Sequence, residues 1–205
     1  MFCLEACGGY SSDLDFWWYI PFPRNIARRT RLYIRDKNDD RFISINCLEY
    51  VTIIINYCIT RLIVESESID DPHPTVLCVT DNTSALNWTV HTCKRSPIGR
   101  SLAQFFCGLL INSDVGINAS WISTLDNVIA DEISRVEPPS DDAFYANTPN
   151  NLPDFSALQQ KYQELTRYRF FQPSQDLLSI IWEILLTKEC PDLSTVVKLR
   201  PQDFG

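Results

Sequence analysis

Residues 76–88 read VLCVTDNTSALNW, and the fold turns on how this stretch is divided. Val76 to Thr80 are apolar or β-branched and read as a strand, whereas Thr83 to Val90 suit a short helix. The strand lacks polar alternation, which predicts a sheet covered on both faces. Asp81 and Asn82 stand at the junction. A carboxylate ending a buried strand has two readings. It caps the helix that follows, or the strand end holds something that needs negative charge.

On the N-terminal side, residues 42–64 read FISINCLEYVTIIINYCITRLIV and are apolar nearly all round. That predicts a helix buried against a sheet. The many β-branched residues leave a strand open, although the run is long for one. Asn46 and Glu49 have the spacing of a capping box. Earlier still, Gly8-Gly9 and Ser11-Ser12 read as turn material, and Phe16 to Ile20 as an aromatic strand ended by Pro21 and Pro23. Arg31 to Arg35 reads as a short extension of that sheet, and the charged segment Asp36 to Arg41 and the acidic 65–74 as loops.

On the C-terminal side come a basic connection from Lys94 to Arg100, an amphipathic helix from Ser101 to Leu110, a strand from Ile117 to Ile122 and a short helix from Val128 to Arg135. Val136 to Pro153, rich in Pro, Asp and Asn, predicts a linker. Two helices follow, the first with Ser156 and Gln159 as a capping box, the second capped by Ser174 and ending near Lys188. The pattern predicts an α/β layer domain over residues 1–135, a linker over 136–153 and a helical extension over 154–205.

A net charge of −8 over 205 residues argues against a generally basic nucleic-acid coat and is compatible with a local basic groove. The eight cysteines form no CxxC pair and the two histidines lack zinc-ligand spacing, which argues against a metal–thiolate site. Cys47, Cys58, Cys78 and Cys107 lie in apolar runs and read as small hydrophobes. The longest apolar run, Val51 to Val64, is interrupted by Asn56 and Arg61 and is short for a bilayer. Met1 to Glu5 begins no signal peptide. The expectation is an intracellular protein off the membrane, with reduced thiols and with chance sequons at Asn82, Asn87 and Asn118.

Three carboxylates stand where structure alone does not require them: Glu49, Asp81 and Asp131. Converging at one sheet edge, they would make an oxygen-rich pocket for Mg²⁺ or Mn²⁺. Two such ions about 3.5–4 Å apart activate a water and stabilise the leaving oxygen in phosphodiester hydrolysis. Each acid also has a plainer reading: Glu49 as half of a capping box, Asp81 as a cap, and Asp131 as a charge suited to a helix's first turn.

At these residues the chain resembles a family. Val79 to Ala85 with Trp88 (VTDNTSA…W) resembles an element of the ribonuclease H domains of retrotransposon polyproteins, gypsy-type and DIRS-type above all. Residues 126–135, DNVIADEISR, resemble the closing element of those domains, and Ile45 to Tyr50 the opening of their first helix. Gly8-Gly9 with Phe16 to Trp18 is similar to their glycine turn and aromatic second strand. The likeness covers residues 1–135, in order.

The resemblance implies a ribonuclease H-like mixed sheet flanked by helices, and two-metal cleavage of the RNA strand of an RNA–DNA hybrid. Glu49, Asp81 and Asp131 take the places of metal ligands, Asn82 lies beside the site, and Asn127 holds the loop before the last helix. The implied partners are a hybrid or other nucleic acid and a reverse transcriptase domain upstream. Two departures stand out. Aligning the glycines puts Met1 where the family has its first aspartate, and Trp121 where it often has a histidine. A site with three of four ligands is expected to bind its metals poorly; the alternatives are a relative that keeps the fold and binds nucleic acid without cutting it, and a protein-interaction module whose apolar tail is the working part.

Lys94, Arg95 and Arg100 read as phosphate contacts or as a solvated basic loop. Arg24, Arg28, Arg29, Arg31 and Arg35 read as a hybrid-backbone surface or as charge that guards a strand edge. Leu177 to Leu186 is too apolar to stand alone in water and must pack on the domain or on a partner.

Overall fold

Two adjacent glycines facing a tryptophan-rich strand build the first part of the fold. The computed structural model describes residues 5–35, 41–67, 73–91, 93, 95–137, 152–192 and 194. Expectations for Met1 to Leu4, 36–40, 68–72, Lys94, 138–151 of the linker and the last residues lie outside these. The chain divides into two compact units, Met1–Ile45 with Leu125–Gln172, and Asn46–Thr124 with Pro173–Gly205.

In the first unit β1 (Ala6–Ser11) pairs antiparallel with β2 (Phe16–Pro21), with Gly9 opposite Trp18. Both glycines lie inside β1, and the turn falls at 12–15, a correction to their reading as turn residues. Neither has a positive φ, so their role is close approach. A Cβ on Gly9 would meet the Trp18 indole at 2.8 Å. One on Gly8 would lie 3.0 Å from the Trp18 carbonyl oxygen and overlap Ile133 Cγ2, on α5 (Val128–Ser134). Gly8→Val should therefore cost about 1–3 kcal/mol by overpacking, read as a lower urea midpoint at constant slope. An unchanged midpoint would show that α5 shifts freely on β1.

Trp17 and Tyr19 of β2 join Ala6, Ile133, Leu158 and Leu165 in one buried cluster. The Trp17 ring lies 4.8 Å from Phe155 and 4.5 Å from Phe170, and the Tyr19 hydroxyl donates to the Val136 carbonyl at 3.0 Å. The chain beyond residue 154 forms a short helix α6 (Ser156–Lys161), a 3₁₀ turn (Gln163–Thr166) and β5 (Arg169–Phe171), which pairs parallel with β2. A strand in a stretch read as helical is a correction; the Phe170 ring packs at a tilt against Trp17, a tertiary contact that local helix propensity does not anticipate. Ser156 is not the cap of α6. Phe155 occupies that position without a side-chain bond, and Asp154 Oδ1 accepts from the Ser156 backbone N–H at 2.9 Å.

Arg24–Arg35 forms helix α1, not the expected strand at its end. The Pro23 carbonyl accepts the N–H groups of Ile26 and Ala27 at 2.9 and 3.0 Å, and Ile26, Ala27 and Thr30 are buried. Leu32 and Ile34 alternate with Arg31, Tyr33 and Arg35, so the last turn imitates strand periodicity in sequence.

In the second unit α2 (Ile45–Ser66) is the core element, with Tyr50, Ile54, Tyr57 and Ile63 buried. It is long and apolar enough to cross a membrane, contrary to the estimate from Val51–Val64, yet 72 % of its apolar window is buried inside the fold. Desolvation pushes the Cys58 thiol up to about 12 and that of Cys78 to about 11, so both stay protonated packing groups. Cys107 is exposed, a correction: on α4 (Pro97–Ile111) it shares the outer face with Gln104 and Ile111. That helix starts four residues before the expected Ser101, because Ser96 caps it by accepting from Gly99 N–H at 3.0 Å.

β3 (Thr75–Thr80) and β4 (Gly116–Trp121) pair in parallel, Thr80 opposite Trp121. Val76, Cys78 and Thr80 are buried, and Asn56 of α2 reaches the Cys78 sulfur at 3.8 Å. Leu77 is 61 % exposed and Val79 49 %, so this strand is covered on one face, not two. Apolar residues on both sides conceal which face is solvated. Helix α7 (Gln175–Thr187) is capped by Ser174 and stops at Lys188, as expected, and Lys188 takes a left-handed conformation. It packs on α4, where Ser101 Oγ donates to the Lys188 carbonyl at 2.7 Å. The chain is thus a mixed α/β protein with small sheets and flanking helices.

Candidate functional site at the end of strand β3

The junction after β3 settles which residue caps helix α3 (Thr83–Val90). It is Asn82, with φ −95° and ψ 103°, whose Oδ1 accepts from Ala85 N–H at 2.9 Å. Its own N–H donates to Thr80 Oγ1 at 3.2 Å, which closes the strand end into a tight corner. Asp81 is not the cap. Of its two readings, the structural one belongs to its neighbour.

The Asn82 amide also reaches across the unit, donating from Nδ2 to Asn46 Oδ1 at 3.0 Å. Asn46 lies in the first turn of α2, so it does not precede the helix as a capping box would require. Glu49 follows three residues later, beyond the first turn, on the same side of the helix as Asn46. The Asn82–Asn46 bond therefore ties the corner that carries Asp81 to the turn that leads to Glu49. Both carboxylates are half-buried and belong to the second unit.

Asp131 belongs to the first unit, in the first turn of α5. Its Oδ2 lies 2.7 Å from Arg135 Nη2, and its neighbour Glu132 pairs with Lys161 at 2.5 Å. The α5 acids thus each hold a basic partner, an arrangement that also suits the positive end of a helix dipole. Asn127 precedes α5 as its N-terminal cap residue without a side-chain cap bond.

Among the described residues no three His, Cys, Asp or Glu side chains stand together as a metal-binding group. Of the three carboxylates singled out in the sequence, Glu49 and Asp81 lie in the same unit. Both offer the hard oxygen that Mg²⁺ prefers, an ion commonly held by one or two carboxylates with water and substrate phosphate completing its shell. Arg95 and Arg100 are exposed, the second in the first turn of α4. Lys94 lies outside the described residues.

Asn46 is the residue that sequence reasoning placed in the wrong role. Asn is unfavourable within helices because it competes for backbone bonds, and that was the available signal. No family model, curated protein or solved structure matches the chain.

Proposed function

We propose that this chain is a ribonuclease H-like domain of the retroelement type. In this reading it binds an RNA–DNA hybrid and hydrolyses the RNA strand with Mg²⁺ or Mn²⁺, beside a reverse transcriptase domain in an intracellular polyprotein. The observation that supports it best is the Asn82–Asn46 bond at 3.0 Å, within the motif order that resembles the family. Glu49 and Asp81 would hold the ion, which when bound supplies an activated water and neutralises the leaving oxygen. Asn82 fixes the Asp81 corner through its cap and its tie to α2. Arg95 and Arg100, with Lys94, meet phosphates near the start of α4. Asp131 belongs to the other unit and pairs with Arg135, so its role as a ligand stays what the motif resemblance implies.

The pairing of Asp131 with Arg135 favours a second reading, a relative that binds hybrid without cutting it. One assay separates the two: a hybrid labelled on both strands, incubated with Mg²⁺ or Mn²⁺ and, in parallel, with chelator. The expected result is a shortened RNA strand, an intact DNA strand and no cleavage in chelator. Uncut RNA on a hybrid that still binds overturns hydrolysis in favour of the second reading. Hybrid neither cut nor bound overturns both.

A further inference from the structure

Helix α1 holds five arginines in twelve residues and no lysine, aspartate or glutamate, in a protein of net charge −8. Arg24, Arg28 and Arg31 recur at the spacing of one helical face, and all three are exposed. The opposite face is occupied: Ile26 is fully buried, and Ala27 and Thr30 are each 4 % exposed.

Pairing within the helix does not account for this charge. A cation in the first turn, where Arg24 stands, opposes the macrodipole. No acid within α1 offers an i,i+3 or i,i+4 partner. Arg31 is ion-paired with Glu5, an exposed pair of the kind that adds little to stability. The use of arginine alone suits anions that offer two oxygens side by side, as phosphate does, which the planar guanidinium fork engages in two bonds at once. From Arg24 to Arg31 the helix rises about 10 Å, a length over which a duplex presents about six phosphates.

We propose that the Arg24–Arg28–Arg31 face of α1 binds the phosphate backbone of an RNA–DNA hybrid. The choice of a hybrid rests on the proposed function; the phosphate chemistry does not. A basic amphipathic helix also suits an anionic membrane, but that mode inserts the apolar face into lipid. Here Ile26, Ala27 and Thr30 are already committed to the protein interior. What remains outward is charge, which is what a phosphate backbone reads.

The test is the anisotropy of a labelled hybrid titrated with the full chain in chelator, from 50 to 200 mM salt, so that cleavage plays no part. Each phosphate contact contributes about 0.9 to the slope of log affinity against log salt for B-form duplexes. Arg24→Gln with Arg28→Gln should flatten that slope by about 2 and weaken binding by at least about tenfold. Glu5→Gln, which releases Arg31, should tighten binding by about twofold or more at 50 mM salt, a gain that unfolding cannot imitate. An unchanged slope and affinity in the double variant overturns the proposal, and so does weaker binding by Glu5→Gln. Association with phosphatidylserine vesicles without hybrid binding overturns it as well. Bound hybrid whose RNA stays uncut in metal counts against the hydrolysis alone.

Discussion

Arg61→Ala should lower the stability of the second unit by about 3–5 kcal/mol, the effect of breaking a buried, hydrogen-bonded charge. The Arg61 side chain is only 5 % exposed, in the last two turns of the core helix α2. Its Nε donates to Glu65 Oε1 at 2.6 Å, its Nη2 to the Asn112 carbonyl at 2.6 Å and its Nη1 to the Leu109 carbonyl at 3.4 Å. Leu109 and Asn112 are at the end of α4, where the last carbonyls have no partner within their own helix. A guanidinium there satisfies two of them and sits at the negative end of the dipole. Glu65 is 32 % exposed and can rehydrate when its partner is removed, which places the loss toward the lower end of the range. Arg61→Lys should recover part of it only, since one ammonium cannot span two carbonyls and a carboxylate in the same fork. Urea unfolding monitored by tryptophan fluorescence gives the number. A loss under about 1 kcal/mol for Arg61→Ala would mean that water takes over the α4 carbonyls at once.

Arg61 also shows why parts of this fold were hard to read. In sequence it is an interruption in an apolar run, which looked like a reason to shorten the run. In the structure it is the charge that lets a 22-residue helix stay buried beside another helix's end. Local chemistry was legible at some helix starts and misread at others, Ser156 and Asn46 among them. Ser174 starts α7 by accepting the Leu177 N–H with its own oxygen, and α3 spans Thr83–Val90 as its sequence indicates. Choices made by tertiary packing were not legible. Gly8 and Gly9 suit a turn as well as a strand until Ile133 and Trp18 are seen to occupy the missing Cβ positions. Leu77 and Val79 look like core until the strand proves to be covered from one side. The site divides along the same line. Asp81 and Asn82 were visible as a pair, but the division of labour between them depended on a 2.9 Å bond to Ala85.

That division makes Asp81→Asn the decisive substitution for the proposed chemistry. Asparagine matches aspartate in size and removes only the charge, so the corner between β3 and α3 should keep its form. Replacing groups that merely support metal ligands costs about 10–100-fold in affinity or activity, so loss of a direct ligand should exceed about 100-fold in RNA cleavage. Mn²⁺ affinity, read by the broadening of nearby amide signals, should fall with it and gives a measure that does not depend on turnover. Unfolding should shift less than in Asn82→Ala, because the amide keeps the size of the carboxylate and can still hydrogen-bond. Asn82→Ala should behave in the opposite way. It removes the cap oxygen and the donor to Asn46, costing about 0.5–2 kcal/mol of stability, and it leaves the Asp81 charge in place. If Asp81→Asn destabilises as much as Asn82→Ala and spares both cleavage and Mn²⁺ binding, the carboxylate is part of the corner and not of a metal site. If the two variants separate as described, the charge at the end of β3 serves a ligand, and the neighbouring amide holds it in place.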